Sequence, residues 1–210
     1  MAFTYFFRDL QTLEAIRDHV LPNLKTKKYM DIWDAGCAMG QEPYSLSMIL
    51  NESMGHMYFR NVRILATDID QSNRFKEIIV NAIYPEELTQ RIPKGIFNRY
   101  FNPCDTDKNY QINEVIRKSV VFKKHDLLSL VPPSRNFSLI ICKNVLLHFN
   151  DSQRIDVLRM FHDALSEDGY LALEQTQKLP EEAKRLFEPI LSNAQVFKKI
   201  NHRAIFEGKN

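Results

Sequence analysis

Residues 34–50 read DAGCAMGQEPYSLSMIL. The chain holds six glycines in 210 residues, and two of them, Gly36 and Gly40, stand four apart in this run of small side chains. A short apolar strand, Met30 to Asp34, leads in. An apolar helix, Gln41 to Asn51, leads out. A small-residue loop between a buried strand and a helix lets backbone approach a ligand closely, and the first N–H groups of the helix face it. Two common ligand classes fail on spacing. A P-loop needs a second glycine and then Lys where this chain has Gln41 and Glu42. A nicotinamide fingerprint needs glycines where this chain has Ala38 and Gln41.

What remains is G-x-x-x-G after an acid-bearing strand. That spacing is common in S-adenosylmethionine sites, and a tight turn packed on a sheet gives the same pattern. Working outward, strand and helix patterns alternate, which predicts an α/β domain with a mostly parallel sheet. Leu13, Ile16, Val20 and Leu24 predict a helix over Asp9 to Leu24. A strand over Arg63 to Thr67 ends at Asp68, and a helix over Gln71 to Ala82 follows, with Asp70 as its N-cap. From Tyr84 to Lys118 the alternation stops. Pro85, Pro93 and Pro103 fall here among short helical patterns, which predicts an inserted subdomain over 84–118. Strands resume at Ser119 to Lys123 and Phe137 to Cys142. A helix over Ser152 to Ser166, capped by Asp151 or Ser152, leads to a strand at Gly169 to Leu173. Pro180 to Leu191 reads as helix. Gln195 to Ile200 and Arg203 to Glu207 read as a closing antiparallel pair.

Three further stretches fall at the ends of strands, where a doubly wound sheet binds ligands. In RILATDID (63–70), Asp68 ends its strand beside the glycine loop, and a carboxylate there suits the two hydroxyls of a ribose. In KKHDLL (123–128), Asp126 can accept from an adenine amino group while Leu127 packs on the ring. Taken alone, those residues read first as a solvated strand end. In CKNVLLHF (142–149), Asn144 faces the same edge, and a turn asparagine fits it as well.

Composition narrows the rest. The hydrophobic fraction is 44%, enough for a sizeable core, and the net charge is +2, which calls neither for nucleic acid nor for an anionic membrane. No apolar run reaches the ~18–20 residues of a membrane span. The opening MAFTYFFRDL has no basic n-region and no long apolar run, which reads against a signal peptide. Cys37, Cys104 and Cys142 match neither a zinc spacing nor a disulfide framework. The expectation is a reduced, cytoplasmic protein with no metal.

Together, FTYFFRD (3–9), IWDAGCAMGQEPYSL (32–46), ILATDID (64–70), VVFKKHDLL (120–128), CKNVLLHF (142–149) and DGYLAL (168–173) resemble the CheR family of chemoreceptor glutamate methyltransferases. The matches lie in the family's order over nearly the whole chain, and are specific as a set. They do not include the helical domain that the family carries upstream of FFRD. The resemblance implies a class I methyltransferase, with a Rossmann-like seven-stranded mostly parallel sheet over 1–210 and a small subdomain inserted in it. It implies S-adenosylmethionine as cofactor and S-adenosylhomocysteine as product. Thr4 and Arg8 would reach the cofactor from the N-terminal segment, with Arg8 near the incoming carboxylate. Gly36 belongs to the cofactor loop. Glu42 would hold the methionine ammonium, Asp68 the ribose, Asp126 and Leu127 the adenine, and Asn144 would complete the pocket. Phe6 and Phe7 would bury against the sheet.

This chain departs from the family's pattern at Gln41, where a second acid is usual, at Lys143, where Arg is usual, and at His148, where Tyr is usual. Three readings of His148 stand: an orienting group, a base for a protonated nucleophile, or an edge histidine. The leading expectation is O-methylation of a protein glutamate, with Arg8 and His148 as catalytic candidates and a chemoreceptor or other signalling protein as partner. The rivals are a methyltransferase for another nucleophile and a non-catalytic cofactor-binding sensor.

Overall fold

The computed structural model describes residues 4–25, 27–104 and 108–201. Among the described residues ten strands are formed in chain order: β1 (Met30–Ala35), β2 (Val62–Asp68), β3 (Ile83–Pro85), β4 (Phe101–Pro103), β5 (Asn109–Ile112), β6 (Val120–Lys124), β7 (Phe137–Cys142), β8 (Leu165–Leu173), β9 (Phe187–Pro189) and β10 (Val196–Lys199). Seven of them build one sheet in the order β6-β2-β1-β7-β8-β10-β9. The pairs from β6 to β8 are all parallel, and β10 runs antiparallel to both its neighbours. Every residue of β7 (FSLIIC) is buried, as expected for a strand covered on both faces. On β1 the two faces serve different layers. Ile32 packs toward the helices Leu10–Ala15 and Gln41–Met54, and Trp33 toward the helix Asp151–Ala164. The chain leaves β1 to lay β2 on one side and later returns to lay β7 on the other. The order therefore reverses at β1, and the crevice beyond its carboxyl end is the natural ligand site.

The predicted helix over Asp9 to Leu24 forms as three continuous segments, Leu10–Ala15, a π-helical Ile16–Val20 and Leu21–Leu24. Several boundaries move for identifiable reasons. The helix expected from Gln71 starts at Phe75. The Asp70 carboxylate accepts from the N–H groups of Arg74 and Phe75 and from the Ser72 hydroxyl, so residues 71–74 fold round it as a turn. Neither Asp151 nor Ser152 caps the later helix. Asn150 does, in a reciprocal capping box with Gln153. The stretch Pro180 to Leu191 is not a helix. It holds one 3₁₀ turn, Glu181–Ala183, and the edge strand β9. β10 pairs with β8 and β9, while the segment expected at 203–207 lies outside the described residues.

Between β2 and β6, strands β3, β5 and β4 form a separate antiparallel sheet in that order. Phe6 is buried in the core cluster that the large sheet shares, and its ring contacts lie on this small sheet. Its ring meets Tyr84 edge-on at 4.9 Å and Phe101 at 5.5 Å. Phe7 is only partly buried and has a left-handed φ of 57°. Tyr84 also reaches the glycine loop, donating its hydroxyl to the Met39 carbonyl at 2.8 Å. The small sheet thus braces the loop after β1.

Candidate active site

The loop after β1 is shaped by steric need. Gly36 has φ +108°, and a Cβ there would meet Val145 Cγ2 at 2.1 Å. Gly40 has φ +93°, and a Cβ would meet Ile79 Cγ1 at 2.8 Å and the Tyr84 hydroxyl at 3.0 Å. Both positions require glycine for conformation and for space. The N–H groups of Gly36 and Cys37 donate to the Thr67 carbonyl at 2.8 and 3.0 Å, which fastens the loop to the end of β2. Asp68 completes the fastening. Its two carboxylate oxygens accept from the N–H groups of Ala38 and Asp70, each at 3.0 Å. A carboxylate has about four lone-pair positions, so each oxygen keeps one for a ligand.

A cavity of about 830 Å³ opens over these groups. That volume lies within the ~300–1,000 Å³ of small-molecule and cofactor sites. Gly36, Asp68, Asp126, Leu127 and His148 all line it. Asp126 caps the 3₁₀ turn Leu127–Ser129, its Oδ1 accepting from Leu128 N–H at 2.9 Å. Its other oxygen is not used in that cap. His148 stands exposed at the rim. The apolar walls include Ile69, Phe75 and Val145, which sequence reasoning missed along with His125. Ile69 sits directly after the strand-end acid and is half-exposed. His125 Nε2 bonds the Val131 carbonyl at 2.8 Å, and its ring meets Trp33 edge-on.

Thr4, Arg8, Glu42 and Asn144 do not line this cavity. Asn144 has φ 58° and donates to the Glu174 carboxylate. Thr4 is partly buried. Glu42 and Arg8 meet through Lys143, a residue that the sequence marked only as a departure. The Lys143 ammonium lies 3.0 Å from Glu42 Oε2 and donates to the Arg8 carbonyl at 3.0 Å. Its side chain is 1% exposed and that of Glu42 11%. Burial pushes the Glu42 carboxyl up from its ordinary value, opposed by the charge and hydrogen bond of Lys143. The same turn is held again where Phe7 N–H donates to Ser45 Oγ at 2.8 Å.

Beneath the loop, Asp34 and Gln41 are fully buried, and none of their side-chain polar atoms has a partner among the described residues. Burial pushes the Asp34 carboxyl well above the usual carboxylate range, with Glu42 and Asp68 adding to the shift and Lys143 opposing it. A carboxyl with a raised folded pKa stabilises the fold below its unfolded pKa, and that contribution is lost as pH rises through the folded value. Asp34→Asn removes the ionisation. Its denaturation midpoint should exceed that of the wild type at pH 8, and the gap should close on acidification toward pH 5. A gap that widens toward acid would show Asp34 to be stabilised as the anion.

This strand order, with one antiparallel strand next to the edge and a cavity over the carboxyl ends, defines a class I methyltransferase fold. Residues 2–196 match the family described as CheR methyltransferase, SAM binding domain. The chain belongs to that family. It is similar to the chemotaxis protein methyltransferase of Borreliella burgdorferi, 36% identical over 187 residues that cover 84% of this chain and 64% of that one. It is also similar to chemotaxis protein methyltransferase 1 of Pseudomonas aeruginosa, 31% identical over 187 residues, covering 84% and 66%. The chain thus spans about two thirds of the length of these relatives. Among solved structures, the rRNA methyltransferase aviRa of Streptomyces viridochromogenes shares the fold, with a TM-score of 0.54 at 12% identity over 94% of this chain and 86% of that one. S-adenosylmethionine is the ligand of this domain, and the residues fit it: a glycine cradle that a Cβ would fill, a strand-end carboxylate with spare lone pairs, and apolar walls. Among the described residues, no helix is long and apolar enough to cross a membrane.

Proposed function

We propose that the protein, acting in the cytoplasm, methylates a side-chain carboxylate of a protein acceptor, a chemoreceptor glutamate. The family and the names of the relatives support the acceptor class. The observation that carries the reading is the Arg8–Lys143–Glu42 chain, which fixes a guanidinium-bearing turn beside the carboxylate intended for the cofactor's ammonium. When bound, S-adenosylmethionine supplies a sulfonium whose methyl carbon is electrophilic. The rest is positioning by this chain. Asp68 would hold the ribose hydroxyls, the free oxygen of Asp126 would accept from the adenine amino group, and Leu127 would pack on the ring. Gly36 admits the cofactor's backbone-facing edge. Glu42 would hold the ammonium with the oxygen that Lys143 leaves, and Thr4 and Asn144 would close the methionine end. Arg8 orients the acceptor carboxylate. A glutamate side chain ordinarily titrates near pH ~4.3, so the acceptor is ionised at neutral pH and needs no base. His148 is then not needed as a base, and its place in the cavity lining favours an orienting group over an edge histidine. Holding the carboxylate oxygen, methyl carbon and sulfur in line can contribute up to roughly 7–11 kcal/mol.

The test is methyl transfer from radiolabelled S-adenosylmethionine onto cytoplasmic fragments of chemoreceptors. The expected label is released as methanol by mild alkali, as a carboxyl ester is. Alkali-stable label would assign a different nucleophile. Cofactor binding with no label on any acceptor would leave a binding module in place of an enzyme.

A further inference from the structure

Tyr5 is shared by two guanidinium groups. The Arg91 Cζ lies 4.2 Å from the centre of its ring and the Arg8 Cζ 5.9 Å, so the two carbons are within about 10 Å of each other. Arg91 comes from the stretch 84–118, on the turn between the helices Glu86–Thr89 and Lys94–Tyr100. That turn is fixed at both sides. Thr89 and Ile92 are buried, Thr89 donates its hydroxyl to the Glu86 carbonyl at 2.8 Å, and Ile92 N–H donates to the Thr89 carbonyl at 3.0 Å. Arg91 itself is exposed, and among the described residues no carboxylate is paired with it. Of the two acids on the helix before that turn, Glu86 is taken by Lys108 at 3.2 Å, and exposed Glu87 is not within ion-pair distance of Arg91. By contrast Arg17, Arg99, Arg154 and Arg159 each have an acidic partner. An aromatic face attracts a guanidinium by about 0.5–1 kcal/mol at an exposed site, which biases Arg91 toward the Tyr5 ring. Arg91 is thus a cation held near the Tyr5 ring whose charge no carboxylate among the described residues takes up.

We propose that Arg91 is a specificity-determining residue that binds a second carboxylate of the acceptor, next to the one being methylated. The acceptor is then a segment with two carboxylates close together, not an isolated glutamate. On a helix such a pair stands three or four residues apart, with Cβ atoms about 5–6 Å from each other, a spacing that two guanidinium groups on one ring can bracket. The inference rests on the carboxylate-methylation reading above and deepens it.

The probes are two helical peptides of about 20 residues, long enough to form several turns. One carries two glutamates four apart, and in the other the second is glutamine. Methyl transfer to each is measured with wild type, Arg91→Ala and Arg91→Lys, alongside cofactor affinity by calorimetry. For the two-glutamate peptide, Arg91→Ala should raise KM at least fivefold with kcat and cofactor affinity unchanged. Arg91→Lys should fall between, because it keeps the charge and loses the fork. On the single-glutamate peptide the three proteins should match. Equal KM values on the two-glutamate peptide, or a change confined to kcat, would overturn the assignment while leaving carboxylate methylation intact. If the wild type binds cofactor but methylates neither peptide nor any receptor fragment, the acceptor reading fails and this inference with it.

Discussion

Replacing Lys143 by methionine should lower the unfolding free energy by about 3–5 kcal/mol at pH 8, the range for breaking a buried ion pair from one side. The Lys143 side chain is 1% exposed, and it neutralises Glu42 and satisfies the Arg8 carbonyl at once. With the ammonium gone, Glu42 is left as a buried carboxylate, and the Arg8 carbonyl loses its donor. The loss should shrink as pH falls. Glu42 already has a raised pKa through burial, and removing the cation raises it further. A carboxyl of that kind favours the fold while protonated and penalises it as pH rises through the folded pKa. Urea unfolding followed through Trp33, the single and fully buried tryptophan, reads this directly. The double variant Lys143→Met with Glu42→Gln should recover most of the loss, since neither charge is then stranded. A loss under about 1 kcal/mol, the ceiling for exposed pairs, would mean that water reaches the pair.

Asp68→Ala should weaken S-adenosylmethionine and S-adenosylhomocysteine alike, by tenfold at least and on the order of a hundredfold. Hydrogen bonds to a charged group contribute about 1.5–3 kcal/mol each, and 1.4 kcal/mol is a factor of ten. Two hydroxyl contacts are at stake, together with the anchor of the glycine loop through the Ala38 and Asp70 N–H groups. Asp68→Asn separates these parts. It keeps an acceptor for one loop N–H and loses the charge, so its affinity should fall between wild type and alanine. Calorimetry with both ligands decides the matter, and unchanged affinity for both would remove Asp68 from the site.

The part of the site legible in the sequence is the part made by strand ends. Gly36, Asp68, Asp126, Leu127 and His148 follow successive parallel strands, and a parallel sheet brings all such ends to one edge. They share the cavity for that reason. The pairing of Lys143 with Glu42 is not legible in the same way. These residues follow β7 and β1, strands far apart in the chain that only the sheet order sets side by side. The fold is hardest to read where local pattern and tertiary pairing compete. PEEAKRLFEPIL has helical spacing and helix-forming residues, yet Phe187–Pro189 is drawn into the sheet edge by β10. The Asn150 cap was readable, since N-x-x-Q ahead of an apolar helix is a capping signature. The left-handed backbone of Asp70 was not, because it follows from the Asp68 carboxylate taking the Asp70 N–H.

The hydroxyl of Tyr84 has a bearing on how this domain can be re-engineered. One atom of the small sheet holds up the Met39 carbonyl of the cofactor loop, and the same ring packs on Phe6 of the N-terminal segment. The small sheet is therefore no interchangeable cassette. A chimera that swaps it for another would move the loop along with it, unless the graft carries a hydroxyl to that one carbonyl.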